Sequence, residues 1–194
     1  MEQPHIGVVG AAALELQQVC LDHGWRYCFI GGLAVLAWAY PRSTIDADIT
    51  LLPGFGSEEP CIDTLLGRFE ARLPDPREFA LRNRVLLLRS RDNVGLDVGL
   101  GALPFEGNSI ARSVPREIFK GCTLRVCSAE DLVVHKAFAA RDQDWADVDS
   151  VLMRQGQRLN IPQILNELQP LVALKEEPEI IDRLMALLHK RGLA

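Results

Sequence analysis

Two aspartates separated by a single residue form the part of the sequence most able to do chemistry. Asp46 and Asp48 lie in the segment IDADITLL, in which polar and apolar residues alternate as they do along a β-strand. Side chains two apart on a strand share one face, so both carboxylates point the same way. Neighbouring carboxylates repel each other, and a divalent cation such as Mg²⁺ relieves that repulsion. The spacing alone is more typical of the solvated face of an edge strand, but the elements that precede the strand here, with Arg42 and Thr44 just upstream, favour a metal site.

A glycine pair precedes this strand and indicates what stands beside the two carboxylates. The apolar run 27–30 predicts a strand, and the alanine- and leucine-rich residues 33–40 predict a short helix. Gly31 and Gly32 separate the two elements and predict a turn. Backbone N–H groups without side chains around them, at the start of a helix, suit a phosphate. We therefore expect Gly31 and Gly32 to bind one.

A third carboxylate, Asp97, lies on a later predicted strand. Residues 84–89 and 96–100 predict two strands joined by a hairpin turn. Asp97 projects between Gly95 and Gly99, as if room had been left for a ligand, and an exposed strand aspartate is the alternative. A third acid is what a two-metal phosphoryl-transfer centre needs, since it can ligate a metal and accept the proton of an attacking hydroxyl.

Composition narrows the class of protein. The 194 residues carry a net charge of −5, which weighs against binding extended duplex nucleic acid. Because no apolar run approaches the roughly 20 residues of a membrane span, and Met1 to His5 carry no basic residue, we expect neither a membrane segment nor a secretory signal. The five cysteines are widely spaced and include no Cys-x-x-Cys pair. They argue against zinc and a disulfide framework, and for a cytoplasmic location.

Together these residues resemble a known pattern, that of the polymerase-beta-like nucleotidyltransferase superfamily. The resemblance is strongest to the AbiEii-type small nucleotidyltransferases of bacterial toxin–antitoxin systems, and it covers roughly residues 25–155. The shared pattern is an apolar strand, a glycine turn, a helix and Arg-x-Thr-x-Asp-x-Asp, matched here by Gly31, Gly32, Arg42, Thr44, Asp46 and Asp48. In the broad superfamily the second glycine position is usually a serine, whose hydroxyl helps hold a phosphate. The resemblance also implies that Asp97 is the third metal ligand.

Matches continue further along the chain. Phe105 and Glu106 match a dipeptide that follows the third acid in the AbiEii-type pattern, and we expect a structural role for Glu106. Residues 140–148 resemble the family signature Ala-Arg-x-x-Asp-x-x-Asp, in which we expect Asp147 to compensate a helix dipole and keep Asp144 as a candidate nucleotide-binding residue. The resemblance implies that Lys136 faces the nucleotide phosphates. A lysine snorkelling from the edge of an apolar helix face is the alternative.

The predicted fold is α/β (α+β), with a nucleotidyltransferase-type mixed sheet flanked by helices and a C-terminal helical segment. Residues 1–127 form the predicted core and residues 128–194 the helical segment packed on it. Further helices are predicted at 7–23 and 62–72, and two amphipathic helices at 161–191. Ser128 is a predicted helix N-cap with Asp131 as its partner, and residues 118–128 predict short strands around Lys120-Gly121.

The function predicted from the sequence is transfer of a nucleoside monophosphate from an NTP to an acceptor hydroxyl. By resemblance, the acceptor is a tRNA 3′ end, a protein or a small molecule. Mg²⁺ or Mn²⁺ is expected at Asp46, Asp48 and Asp97, and nucleotide at Gly31, Gly32, Arg42, Thr44, Lys136 and Asp144. The alternative is a catalytically degenerate binding or antitoxin-like protein on the same fold. A phosphohydrolase has no support, because no histidine lies near the acids.

Overall fold

The computed structural model describes residues 7–54 and 56–194, which form two compact units. The first unit comprises Met1–Leu33 and Ser43–Cys127, and the second Ala34–Arg42 and Ser128–Ala194. The sequence expectation for Met1 to His5 lies outside the described residues, as does Phe55.

A seven-stranded mixed sheet is the centre of the first unit. The strands run in the order β3-β4-β5-β2-β1-β7-β6. β2 pairs in parallel with β5 and antiparallel with β1, so the predicted mixed sheet is confirmed. The strand bounds are β1 Arg26–Phe29, β2 Asp46–Leu52, β3 Glu70–Ala71, β4 Val85–Arg89, β5 Gly95–Leu100, β6 Val114–Phe119 and β7 Cys122–Val126.

The helices of the first unit are interspersed among its strands along the sequence. Their bounds are α1 Val8–Asp22, α2 Gly31–Trp38, α3 Glu58–Leu66, α4 Pro76–Asn83 and α5 Pro104–Arg112. Only the first turn of α2 belongs to this unit, since its residues from Ala34 onward group with the second.

Alternation along β2 and β5 decides which side chains reach each face of the sheet. One face of the two strands is fully buried and aliphatic, with Ala47, Ile49, Leu51, Leu96, Val98 and Leu100. Burying each of the larger of these side chains stabilises the fold by about 1.5–3 kcal/mol. A slip of one residue in the register would move this whole set to the other face, so the apolar pattern fixes the register. It thereby fixes the positions of the polar residues between them.

The second unit is built from four further helices. They are α6 Ala129–Ala139, α7 Asp142–Gln155, α8 Ile161–Lys175 and α9 Glu179–Lys190, with a 3₁₀ turn at Gly156–Arg158. The predicted N-cap is confirmed, because Ser128 Oγ accepts a hydrogen bond from the Asp131 backbone N–H at 3.1 Å. The two predicted amphipathic helices of the tail are confirmed as α8 and α9.

Three local features differ from the sequence predictions. The helix predicted at 62–72 ends at Leu66, and the chain then enters the short strand β3 and the unpredicted helix α4. The unassigned segment after β5 contains α5. Glu106 explains that helix, because its Oε2 accepts hydrogen bonds from the backbone N–H groups of Ala102 and Leu103 at 2.6 and 2.7 Å. The structural role expected for Glu106 is confirmed.

The state of the cysteines and the apolar character of the helices were two of the features considered from the sequence. All five cysteines are buried free thiols. Across residues 7–54 and 56–194, none of the helices has both the length and the apolar character needed to cross a bilayer.

Candidate active site

Three carboxylates lie on one face of β2 and β5. Asp48 is the direct register partner of Asp97, and Asp46 is the partner of Gly95. Residues opposite each other on neighbouring strands are about 4.8 Å apart along the direction of the hydrogen bonds. All three acids are half-buried. The structure therefore brings together the three acids that the sequence singled out.

Glycines beside the acids leave the space that two carboxylates occupy. A Cβ atom on Gly31 would lie closer than 3.0 Å to Asp48 Oδ2, and one on Gly95 equally close to Asp46 Oδ1. Real Cβ atoms essentially never approach another atom so closely. At Gly99, by contrast, the nearest atom is the Ile49 carbonyl oxygen at 3.5 Å, an ordinary contact. The room at Gly95 thus holds a carboxylate of the site itself.

The glycine turn at the start of α2 lies against the same acids. Gly31 adopts a left-handed backbone conformation with φ of +53°, which favours glycine. The Gly32 N–H donates to Asp48 Oδ2 over 3.4 Å. A Cβ atom on Gly32 would clash with Thr44 Oγ1, which itself donates to the Asp46 carbonyl at 3.2 Å. The Thr44 hydroxyl therefore fills the space that a side chain at position 32 would take.

Arg72 is a member of this site that the sequence analysis missed. Its backbone N–H donates to the Leu87 carbonyl at 3.0 Å, and Leu87 is the register partner of Asp97. The Arg72 side chain crosses β4 and forms an ion pair with Asp97 through Nη2. Its Nε is buried and has no hydrogen-bond partner among the described residues. No local pattern marks this arginine, because its partner is 25 residues away in sequence.

The electrostatic environment of Asp97 disfavours its charged form. Burial is the largest cause and raises the pKa of the Asp97 carboxyl. The positive charge of Arg72 lowers that pKa, and the negative charges of Asp48 and Asp46 raise it again. The net result is a pKa above the usual aspartate range. Burial and the two neighbouring carboxylates therefore outweigh the positive charge of Arg72 at Asp97.

The three carboxylates have the chemistry of ligands for a hard divalent cation, but they are not arranged as a complete metal site. Carboxylate oxygens on adjacent rigid strands are the ligands that Mg²⁺ prefers. Within residues 7–54 and 56–194, however, no three His, Cys, Asp or Glu side chains are grouped closely enough to hold a metal ion. Arg72 supplies positive charge at Asp97 instead. The side chains would have to rearrange around an incoming cation.

A separate group of charged residues lies in the second unit. Lys136 is buried, and its Nζ lies 2.8 Å from Asp144 Oδ1 and 2.9 Å from Asp147 Oδ2. Arg42 makes two hydrogen bonds to Asp147, at 2.7 and 2.8 Å, and Arg141 Nε pairs with Asp144 Oδ2 at 2.8 Å. We call these five residues the ion-pair network. The burial of Lys136 contradicts the alternative of a lysine snorkelling into solvent.

Asp147 has more partners than a helix-dipole role requires. Burial acts to raise the pKa of its carboxyl, but hydrogen bonds from Arg42 and Lys136, together with their positive charges, outweigh burial and lower that pKa. Asp147 is thus a structural ion-pair partner that links α7 to both cations. The nucleotide-binding roles expected for Arg42, Lys136 and Asp144 stay predictions.

Comparison with known proteins bears on the fold. No protein-family model matches the chain, and no curated protein sequence matches it. A solved structure of an antigenic nucleotidyltransferase-like protein from Paracoccidioides brasiliensis is similar, with 15% identity, a TM-score of 0.53 and 92% of each chain covered. The solution structure of the antibiotic-resistance factor ANT(2'')-Ia is similar at 16% identity and a TM-score of 0.50, covering 95% of this chain and 97% of that one. The chain therefore has a nucleotidyltransferase-type fold.

Proposed function

We propose that this chain is a metal-dependent nucleotidyltransferase that moves a nucleoside monophosphate from an NTP to an acceptor hydroxyl. The observation that carries the proposal is the register pairing of Asp48 with Asp97, on the face where the first turn of α2 also lies. Phosphoryl transfer needs acidic metal ligands next to phosphate-binding groups, and the acids and the glycine turn on this face are the candidates for these two roles. The fold shared with nucleotidyltransferase-like proteins supports the same reaction class.

Each part of the site has a role in this reaction. Mg²⁺ or Mn²⁺ bound by Asp46, Asp48 and Asp97 would neutralise charge on the phosphates. The backbone N–H groups at Gly31 and Gly32 bind phosphate oxygens and orient the chain of phosphates. The acceptor oxygen forms a bond to the α-phosphorus, the bond from that phosphorus to pyrophosphate breaks, and the hydroxyl proton leaves to a nearby base.

Other residues are proposed to support nucleotide binding. The Thr44 hydroxyl lies where a side chain at position 32 would stand, so it supplies the hydroxyl that the glycine lacks. Arg42, Lys136 and Asp144 are further candidates, which rest on the resemblance to the AbiEii-type pattern. That resemblance also supports the narrower proposal of a toxin–antitoxin component. The acceptor in this narrower proposal is a tRNA 3′ end, a protein or a small molecule.

The test is transfer of label from each α-³²P NTP in the presence of Mg²⁺, total RNA and protein extract. Wild-type chain should label one class of acceptor. Asp46→Asn should lower the rate by about a thousandfold, since it removes a charged metal ligand without changing the size of the side chain. Asp92→Asn is the matched control, because Asp92 is exposed in the turn between β4 and β5.

Two results would contradict the proposal. One is full metal-dependent transfer by Asp46→Asn, and the other is an equal loss in Asp92→Asn. Far-ultraviolet circular dichroism of both variants checks that the fold is retained. Only a folded Asp46→Asn chain that has lost transfer supports the proposed chemistry.

A second candidate is a catalytically degenerate binding protein, in which Arg72 takes the place of a metal ion at Asp97. The ion pair between Arg72 and Asp97 favours it, because that pair occupies a carboxylate which a metal would need. Calorimetry with Mg²⁺ and each NTP distinguishes the two candidates. An enzyme should show nucleotide affinity that depends on the metal, whereas the binding protein should show none.

A further inference from the structure

Positive charge is concentrated on one side of the three carboxylates, at strands β3 and β4. We infer that this side binds the acceptor, and that the acceptor carries a phosphate group held by Arg72 and Arg89. This inference rests on the proposed function, because it assigns a substrate class to the same site. Three observations support it, namely the register of the strands, a cavity, and a buried hydrogen-bond donor, Arg72 Nε, that has no partner among the described residues.

Strand register places Arg89 beside the acids. Arg89 is the register partner of Gly95, and Gly95 is the partner of Asp46, so the three residues lie in one row across the sheet. Leu87 and Asp97 form the next row, which Arg72 extends through its backbone hydrogen bond to Leu87. Register partners on neighbouring strands share a face. Arg72 and Arg89 therefore lie on the face that carries the carboxylates.

A cavity of about 180 Å³ lies at this edge of the sheet. Its lining includes three arginines, Arg68, Arg89 and Arg91, and one acid, Glu70. Arg68 is paired with Glu15 at 2.7 Å, whereas neither Arg89 nor Arg91 forms a salt bridge with another residue of the described ranges. A local excess of arginine in a chain of net charge −5 indicates an anion site.

Arg72 adds a further hydrogen-bond donor, its buried Nε. Its Nε is buried without a hydrogen-bond partner among the described residues, and a buried donor left unpaired costs about 1–3 kcal/mol. Its Nη1 lies 3.1 Å from the point where a Cβ atom on Gly95 would stand, next to the Asp46 carboxylate. A divalent cation at these acids would repel the guanidinium and free it for an anion.

The order of the strands in the sheet indicates that the acceptor binds on this side. The first turn of α2 follows β1 and contacts Asp48, whereas Arg72 and Arg89 lie beyond β5 in the order β3-β4-β5-β2-β1. Under the proposed function the triphosphate lies at the turn of α2. The attacking hydroxyl must then approach the α-phosphorus from the opposite side, which is the side of the arginines.

The recognition chemistry is that of a phosphate ester. The planar guanidinium of arginine binds two oxygens of a phosphate at once, and two such groups next to a cavity match a phosphomonoester or phosphodiester. A polynucleotide end and a small phosphorylated metabolite share this group. A cationic acceptor would be repelled from the same side.

The experiment is titration calorimetry of the full chain with three probes, namely inorganic phosphate, glycerol 3-phosphate and a short 5′-phosphorylated RNA. Wild-type chain should bind at least one probe saturably, and Arg89→Gln and Arg72→Gln should each weaken that binding at least tenfold. Arg77→Gln is the control, because Arg77 is exposed on α4 and pairs with Asp63 away from the cavity. Tighter binding of the RNA identifies a polynucleotide acceptor, and equal or tighter binding of glycerol 3-phosphate identifies a small one.

Asp46→Asn separates this inference from the proposed function. That variant should keep its phosphate affinity even though it loses transfer, because Arg72 pairs with Asp97 rather than with Asp46, and Arg89 forms no salt bridge among the described residues. Transfer by wild-type chain together with equal phosphate affinity in wild type, Arg72→Gln and Arg89→Gln would overturn the inference and leave the proposed function standing. Absence of saturable binding of all three probes would overturn it as well.

Discussion

The two units each hold a group of aspartates, and the pKa shifts in the two groups have opposite directions. In the first unit Asp97 pairs with Arg72, yet burial, together with the charges of Asp48 and Asp46, raises the pKa of Asp97. In the second unit the two acids of the ion-pair network meet three cations, and the pKa of Asp147 is lowered. Burial and charge thus favour the neutral acid at Asp97 and the ionised acid at Asp147.

This difference separates a site from a structural feature. Charges that are paired and hydrogen-bonded inside a protein are costly to disturb, and their loss lowers the free energy of unfolding. Charges that repel one another reduce stability until a ligand compensates them, which is typical of binding and catalytic sites. The comparison thus supports the proposed functional role of the first unit's carboxylates, and it indicates that the ion-pair network contributes to stability.

The largest effect should come from breaking the ion-pair network at its centre. Lys136→Met should lower the free energy of unfolding by about 3–5 kcal/mol, because it leaves Asp144 and Asp147 buried with fewer partners. Urea denaturation measures the change. Lys190→Met is the control, since Lys190 is 60% exposed and should cost less than about 1 kcal/mol. Equal losses in both variants would remove the distinction between the two groups.

A smaller effect should follow from crowding the carboxylates of the first unit. Gly95→Ala should lower nucleotidyl transfer about tenfold to a hundredfold, because its methyl group displaces the Asp46 carboxylate. Stability should change little, since the displaced atom is the end of a side chain. Gly99→Ala on the same face of β5 is the matched control, and steady-state rates compare the two. A greater loss in Gly99→Ala would show that the room at Gly95 is unimportant.

The smallest effect should be a gain in stability. Because the pKa of Asp97 is raised in the folded chain, its ionised form disfavours folding above that pKa. Asp97→Asn should raise the melting temperature at pH 7 in the presence of a chelator, by no more than about 3 °C. The gain should vanish below about pH 3.5, where the wild-type carboxyl is protonated in both states. Thermal scans at both pH values measure it, and a loss at pH 7 would contradict the comparison.

Local sequence patterns were sufficient to predict the arrangement of the acids and most of the elements around them. The alternation around Asp46 and Asp97 correctly predicts two strands with their carboxylates on one face. The N-cap at Ser128 and the structural role of Glu106 were equally readable, because each depends on contacts within four residues.

Contacts between segments that are distant in sequence could not be predicted from local patterns. Arg72 reaches Asp97 only because β3 and β5 flank β4, and no periodicity within residues 70–76 reveals that order. The helix α4 begins at Pro76, in a segment for which the sequence analysis predicted no element. The partners of Lys136 likewise depend on how α6 packs on α7, so its burial could not be read from helical spacing alone.

The position of the Thr44 hydroxyl has a consequence for which residue pairs this turn can tolerate. Its oxygen fills the volume that a side chain on Gly32 would need, so only one of the two positions can present a hydroxyl group there. A serine at position 32 would therefore require Thr44 to shift or to be replaced by a smaller residue. Positions 32 and 44 are thus coupled sterically across the turn. Moving the hydroxyl group from position 44 to position 32 therefore involves both positions.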